Sequence, residues 1–151
     1  MNTQSCNPTP QAHGFGYCLA ISSAVEYDFD LAKLNGTRVG QLNERNSPYI
    51  PLSKIEQSNN PNNRTIKQCI LASGDRFNDS DADLALLKEL GATVRDMEGA
   101  AIAHVCEKEG VPCHSVKCIS DVHGLGSMTG QYLDNIPLCQ QKLGEAVKEL
   151  I

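Results

Sequence analysis

The chain has no tryptophan, and only three phenylalanines and four tyrosines among its 151 residues. That removes the stacking surfaces by which single-stranded nucleic acids are usually held. There is no Lys/Arg block either, and 13 basic against 18 acidic side chains leave a formal charge of −5. A polyanion gripped by bulk electrostatics is therefore not the expected partner, so no nucleic acid is expected. No stretch approaches the roughly 18 apolar residues of a membrane span, and the opening MNTQSCNPTPQAHG lacks the apolar segment of a secretion signal. These absences favour a small-molecule partner, no membrane and a cytoplasmic location. Seven cysteines include no C-x-x-C pair, and in a reducing compartment they read as small buried hydrophobes. A zinc site from His104, Cys106, Cys113, His114 and Cys118 would need Cys113 and His114 to converge, yet neighbours on an extended segment point to opposite faces.

What is present suits one ordinary domain. Hydrophobic residues make up 40% and charged residues 21%, and a chain of about 150 residues buries roughly 70% of its unfolded surface. Residues 1–16 are polar and carry two prolines and no periodicity, which predicts an unstructured lead-in to a domain over 17–151. The run YCLAISSAV (17–25) predicts a buried strand. Residues 35–65 are dense in turn chemistry, with Asn35-Gly36, Ser47-Pro48, Ile50-Pro51 and the Asn-rich SNNPNNR, as in a long functional or mobile loop.

Strands and helices then alternate. Strands are predicted at 66–72, 93–95 and 115–120, and helices at 81–90, 97–109 and 140–151. Gly91 closes the first helix, and Gly110 with Pro112 closes the second. A glycine-rich turn, HGLGSMTG, precedes the last. Such alternation implies an α/β fold with parallel strands and helices on both faces. Ligands of such sheets lie at the carboxyl ends of strands, which directs attention to the residues just after Ala72, Arg95 and Ser120.

Three segments stand there. In Ser73-Gly74-Asp75-Arg76-Phe77-Asn78, Gly74 allows a tight turn against a ligand and Phe77 could stack on a base; taken alone, the segment is better read as a plain turn with Phe77 folded into the core. In Asp96-Met97-Glu98-Gly99 the carboxylates could simply cap a helix, while the small residues beyond them let the helix approach the sheet and leave Glu98 at the lip of a cleft, able to accept hydrogen bonds from a sugar diol. In Ser120-Asp121-Val122-His123-Gly124 an aspartate ends a buried strand. Desolvation there would raise its pKa toward that of a general acid; the alternative is a carboxylate capping its own turn.

Together, SGDRF, VRDMEGAAIAHVCEKEGVP and VKCISDVHG resemble the purine nucleoside phosphorylase superfamily, with most likeness to its 5′-methylthioadenosine/S-adenosylhomocysteine nucleosidases. A weaker likeness extends to Glu26-Tyr27-Asp28-Phe29-Asp30-Leu31 and Gly40-Gln41-Leu42. The resemblance implies a three-layer αβα fold around a mixed, mostly parallel sheet, no cofactor and no metal, and a purine nucleoside substrate. Asp121 would protonate the purine at N7, Ser120 would position it, Glu98 would hold the ribose hydroxyls and Met97 would pack on the sugar. Phe77 would stack on the base, the Asn78 backbone would read the adenine edge, and Val94, Arg95 and Asp96 would line the pocket. A homodimer is implied as well, through the segment after Asp30, where about Leu34 takes the place of an aromatic lent to the neighbour's pocket. The family also has earlier strands bearing a water-activating glutamate and a glycine-rich loop. Residues 1–16 contain no Asp or Glu, so the expectation is a member missing its N-terminal strands, with hydrolysis weakened or lost.

Two other readings compete. Asp121-Val122-His123-Gly124 resembles the D-x-H-G turn of metallophosphoesterases, in which Asp121 and His123 would ligate a metal, although that family places the turn first and has an Asn-His pair after it that is absent here. A non-catalytic fragment that binds nucleoside or dimerises is the other.

Overall fold

The computed structural model describes residues 3–5, 14–56, 66–77 and 80–150. In chain order the elements are β1 (Thr3–Ser5), β2 (Cys18–Glu26), α1 (Ala32–Asn35), β3 (Ile50–Pro51), β4 (Gln68–Ser73), α2 (Asp81–Glu89), β5 (Ala92–Asp96), α3 (Gly99–Lys108), β6 (Val116–Val122) and α4 (Met128–Leu150). Asn78 lies outside the described residues.

The apolar runs become the inner strands. β2, β4 and β5 pair in parallel, and their inward residues Leu19, Ile21, Ala24, Leu71 and Val94 share one core with Ile119 and Val122 of β6. The sheet order is β3-β2-β4-β5-β1-β6, with β2 also pairing β6. That extra pairing closes β2, β4, β5, β1 and β6 into a ring. Alternation alone predicts parallel neighbours, yet β1 runs antiparallel to β5, and β2 runs antiparallel to both β3 and β6. The sheet is therefore mixed. Strands of two or three residues, such as β1 and β3, leave no hydrophobic period to detect. For the same reason the sequence predicts a structureless lead-in, whereas Thr3–Ser5 pair with both β5 and β6.

Helices start where their capping chemistry lies. Ser80 Oγ accepts from the Asp83 amide at 3.1 Å while Asp83 accepts from the Ser80 amide at 3.2 Å, a capping box that opens α2. α3 presents Ala100 and Ala103 to the sheet, both buried, and their small size lets the helix backbone approach β2 and β4. The largest departure from expectation is α4, which begins at Met128 rather than 140 and runs through Pro137. Gly130 and Pro137 argue against helix, but tertiary contacts prevail. Ser127 Oγ caps the Gly130 amide at 3.2 Å, and Gln131, Asn135 and Cys139 all reach the main chain of β6. Among the described residues no helix is long and apolar enough to cross a membrane.

Candidate active site at the strand ends

Backbone register aligns the segments singled out from sequence. Ser73 at the end of β4 pairs with Asp96 at the end of β5. Across β1, Gln4 is the partner of both Arg95 and Asp121, so these two stand level, two strand spacings or about 10 Å apart.

Asp121 is fully buried, and its Oδ1 accepts from Ser120 Oγ at 2.6 Å. The main chain on both sides of it is held by α4. Asn135 Nδ2 donates to the Ser120 carbonyl at 2.9 Å, and the Gln131 side-chain amide both accepts from the Val122 N–H, at 2.9 Å, and donates to its carbonyl, at 3.2 Å. One turn of helix thus takes the place of a neighbouring strand at the end of β6. Tyr132 on the same turn meets the Phe77 ring edge-on at 6.3 Å between centroids.

Phe77 is itself positioned from below. Buried Arg95 donates to the Phe77 carbonyl at 2.9 Å and to the Tyr27 hydroxyl at 3.4 Å, and its guanidinium lies over the Tyr27 ring. Burial pushes the Tyr27 phenol above its ordinary value, against the pull of Arg95.

Asp96 is structural. Its carboxylate accepts from the Gly99 amide at 3.0 Å, from Ser73 Oγ at 2.5 Å and from Lys117 Nζ at 2.5 Å. It therefore caps α3 and joins the ends of β4 and β5 to the start of β6. Glu98 is the N-cap residue by position, yet its side chain makes no cap bond and is exposed.

Beside these ends is an open cleft of about 390 Å³, lined by Glu26, Asp28, Ser73, Gly74, Asp75 and Met97 among others. Among the described residues that the resemblance gives a site role, Met97 alone lines it, together with Gly74, the expected tight turn. Ser120, Asp121 and Phe77 gather at the β6–α4 side, Glu98 lies at the start of α3, and Val94 is in the core, 1% exposed. Arg95 and Asp96 lie behind the surface as supports. Sequence reasoning misses Gln131, Tyr132 and Asn135 because they fall between the glycine-rich turn HGLGSMTG and the helix expected from 140; the Ser127 cap is the available signal. Glu26 and Asp28 belong to the weaker part of the resemblance, which gives them no role.

A D-x-H metal turn would bring Asp121 and His123 to one ion, but Asp121 is buried while His123 is exposed. Among the described residues no group of three or more His, Cys, Asp or Glu is placed to hold a metal ion.

The chain is thus an α/β protein with an acid buried at the end of β6 and an open cleft at the ends of β4 and β5, the edge of such sheets at which ligands bind. Comparison with known proteins specifies the family. The phosphorylase superfamily model matches residues 18–151, and the chain belongs to that superfamily. It is 29% identical over 153 residues to the 5′-methylthioadenosine/S-adenosylhomocysteine nucleosidase of Actinobacillus succinogenes, covering 97% of this chain and 66% of that protein. A 57-residue segment is 42% identical to the aminodeoxyfutalosine nucleosidase of Helicobacter pylori strain J99, covering 37% of this chain and 25% of the relative. The native futalosine hydrolase structure of Helicobacter pylori strain 26695 has the same fold, with a TM-score of 0.83 at 24% identity over 99% of this chain and 64% of that one. The chain thus spans two thirds or less of each.

Proposed function

We propose that the chain binds a purine nucleoside of the 5′-methylthioadenosine or S-adenosylhomocysteine type and acts on its N-glycosidic bond, with Asp121 as the acid. The carrying observation is the burial of Asp121 at the end of β6, its carboxylate bonded to Ser120 Oγ. Cleavage of an N-glycoside passes through an oxocarbenium-like state, so it gains from a neutral acid at the departing base and an anion near the sugar. Asp121 and Glu98 fit those two places, with Ser120 orienting the acid, Met97 against the sugar, Phe77 on the base and the Asn78 backbone at its edge. Relatives named for nucleosidase activity support the reaction class. Val94, Arg95 and Asp96 enter this reading as supports of the pocket wall.

Two copies pairing through α1, where Leu34 is 79% exposed, and a cytoplasmic location belong to the same proposal. Calorimetry with adenine and 5′-methylthioadenosine, alongside adenine release followed by ultraviolet absorbance, tests both parts. The expected result is saturable binding of each and release of adenine from 5′-methylthioadenosine, both reduced in Asp121→Asn. No binding of either ligand by folded protein would overturn the reading.

A further inference from the structure

We propose that Cys18 and Cys118 form a peroxide-sensitive dithiol that closes to a disulfide across the junction of β2 and β6. The two residues are register partners in that antiparallel pairing. The Ile119 amide donates to the Tyr17 carbonyl at 3.0 Å and the Ile21 amide to the Ser115 carbonyl at 2.9 Å, which marks 17/119 and 21/115 as hydrogen-bonded positions. Alternation along an antiparallel ladder makes 18/118 a non-hydrogen-bonded one. There the Cα atoms approach to about 4.5 Å with both side chains on one face, within the roughly 4.4–6.8 Å that a disulfide spans. The bridge therefore needs side-chain rotation and no backbone shift.

The two sulfurs have distinct roles. Cys118 is fully buried, whereas Cys18 is partly exposed at the start of β2, so an oxidant meets Cys18 first. The Cys118 S–H donates to the Cys18 sulfur and the Lys142 ammonium lies near it. Together they hold the Cys18 thiol below its ordinary value despite burial and the carboxylates of Glu145 and Glu149. Elsewhere burial favours the thiol form, raising Cys113 and pushing Cys69 up to about 11. The nucleophilic thiolate is thus Cys18.

The oxidant is a hydroperoxide. The Cys18 thiolate attacks one peroxide oxygen, an S–O bond forms, the O–O bond breaks and hydroxide leaves, so that sulfur loses two electrons and becomes a sulfenic acid. The Cys118 sulfur then attacks that of Cys18, an S–S bond forms, and the Cys118 proton departs with the hydroxyl as water. Two thiols and one hydrogen peroxide give one disulfide and two waters. The product ties the start of β2 to β6 just upstream of Asp121.

Treating the whole chain with one equivalent of hydrogen peroxide, blocking remaining thiols with N-ethylmaleimide and mapping peptides without reduction tests this. The expected product has lost two hydrogens, contains a Cys18–Cys118 linked peptide, and reverts with dithiothreitol. In C118A, judged folded by circular dichroism, Cys18 should instead be trapped by dimedone as the sulfenic acid, and C18S should give neither product. A dominant linkage between other cysteines, such as Cys106 and Cys113, or a Cys18 left unmodified while other thiols oxidise, would overturn the proposal.

Discussion

Lys117 Nζ lies 2.5 Å from Asp96 Oδ2 with both side chains buried, 3% and 0% exposed. Because the same carboxylate caps α3 and binds Ser73, this ion pair ties the ends of β4 and β5 to the start of β6 behind Met97 and Glu98. Removing one partner strands the other charge without water. Lys117→Met is expected to cost about 3–5 kcal/mol in urea denaturation. Adding Asp96→Leu should recover part of that loss, because the uncompensated carboxylate is then gone as well. A single variant as stable as the original chain would mean that the pair contributes nothing.

Gly74 carries the turn from β4 toward Phe77. A Cβ there would press into the Tyr27 ring and come within 2.9 Å of Asp28 Cγ, and Tyr27 is itself buried beneath Arg95. Overpacking of this kind costs about 1–3 kcal/mol. Gly74→Ala should lower the melting temperature and weaken adenine binding roughly tenfold, as a misplacement worth about 1.4 kcal/mol does. Calorimetry and a thermal melt on the same preparation check both.

Gln131 closes the end of β6 with a pair of amide bonds to Val122. Gln131→Leu removes the partner of a backbone N–H and a carbonyl in a part-buried place, a loss of about 1–3 kcal/mol. Amide hydrogen exchange at Val122 should accelerate, and adenine affinity should fall because Asp121 is the adjacent residue. Val122 exchange unchanged from the parent would show that the strand end holds itself.

Legibility in the sequence tracks element length and burial. β4, β5, β6, α2 and α3 each carry a full apolar run or period with a recognisable stop, and their expected bounds fall within about two residues of the observed ones. β1 and β3 are too short to show a period. The first half of α4 is hidden by Gly130 and Pro137, whose local preferences yield to the Gln131, Asn135 and Cys139 contacts with β6. The site divides along the same line. Ser120, Asp121, Phe77 and Met97 stand at strand ends that the pattern exposes, whereas Tyr132 and Gln131 reach the site only through the packing of α4, and the parts played by Arg95 and Asp96 depend on partners distant in sequence.

Alkaline pH should destabilise the fold in a defined window. Burial pushes the Cys69 thiol on β4 up to about 11, a rise that the Thr93 hydrogen bond only partly offsets, from the 9.0 of an unburied thiol. The folded state holds its proton more tightly than the unfolded chain. The contribution of Cys69 is therefore fully present below pH 9 and is lost as pH rises through 11. Two units correspond to roughly 2–3 kcal/mol at about 1.36 kcal/mol per unit. Tyr27, raised above 10 by burial, adds a second loss of the same sign above that pH. Urea midpoints at about pH 8, 9, 10 and 11 should fall mainly between 9 and 11. Cys69→Val should shallow that fall without abolishing it, since Tyr27 and the raised thiols Cys113 and Cys118 remain. Identical slopes in the variant and the parent would remove Cys69 as a cause.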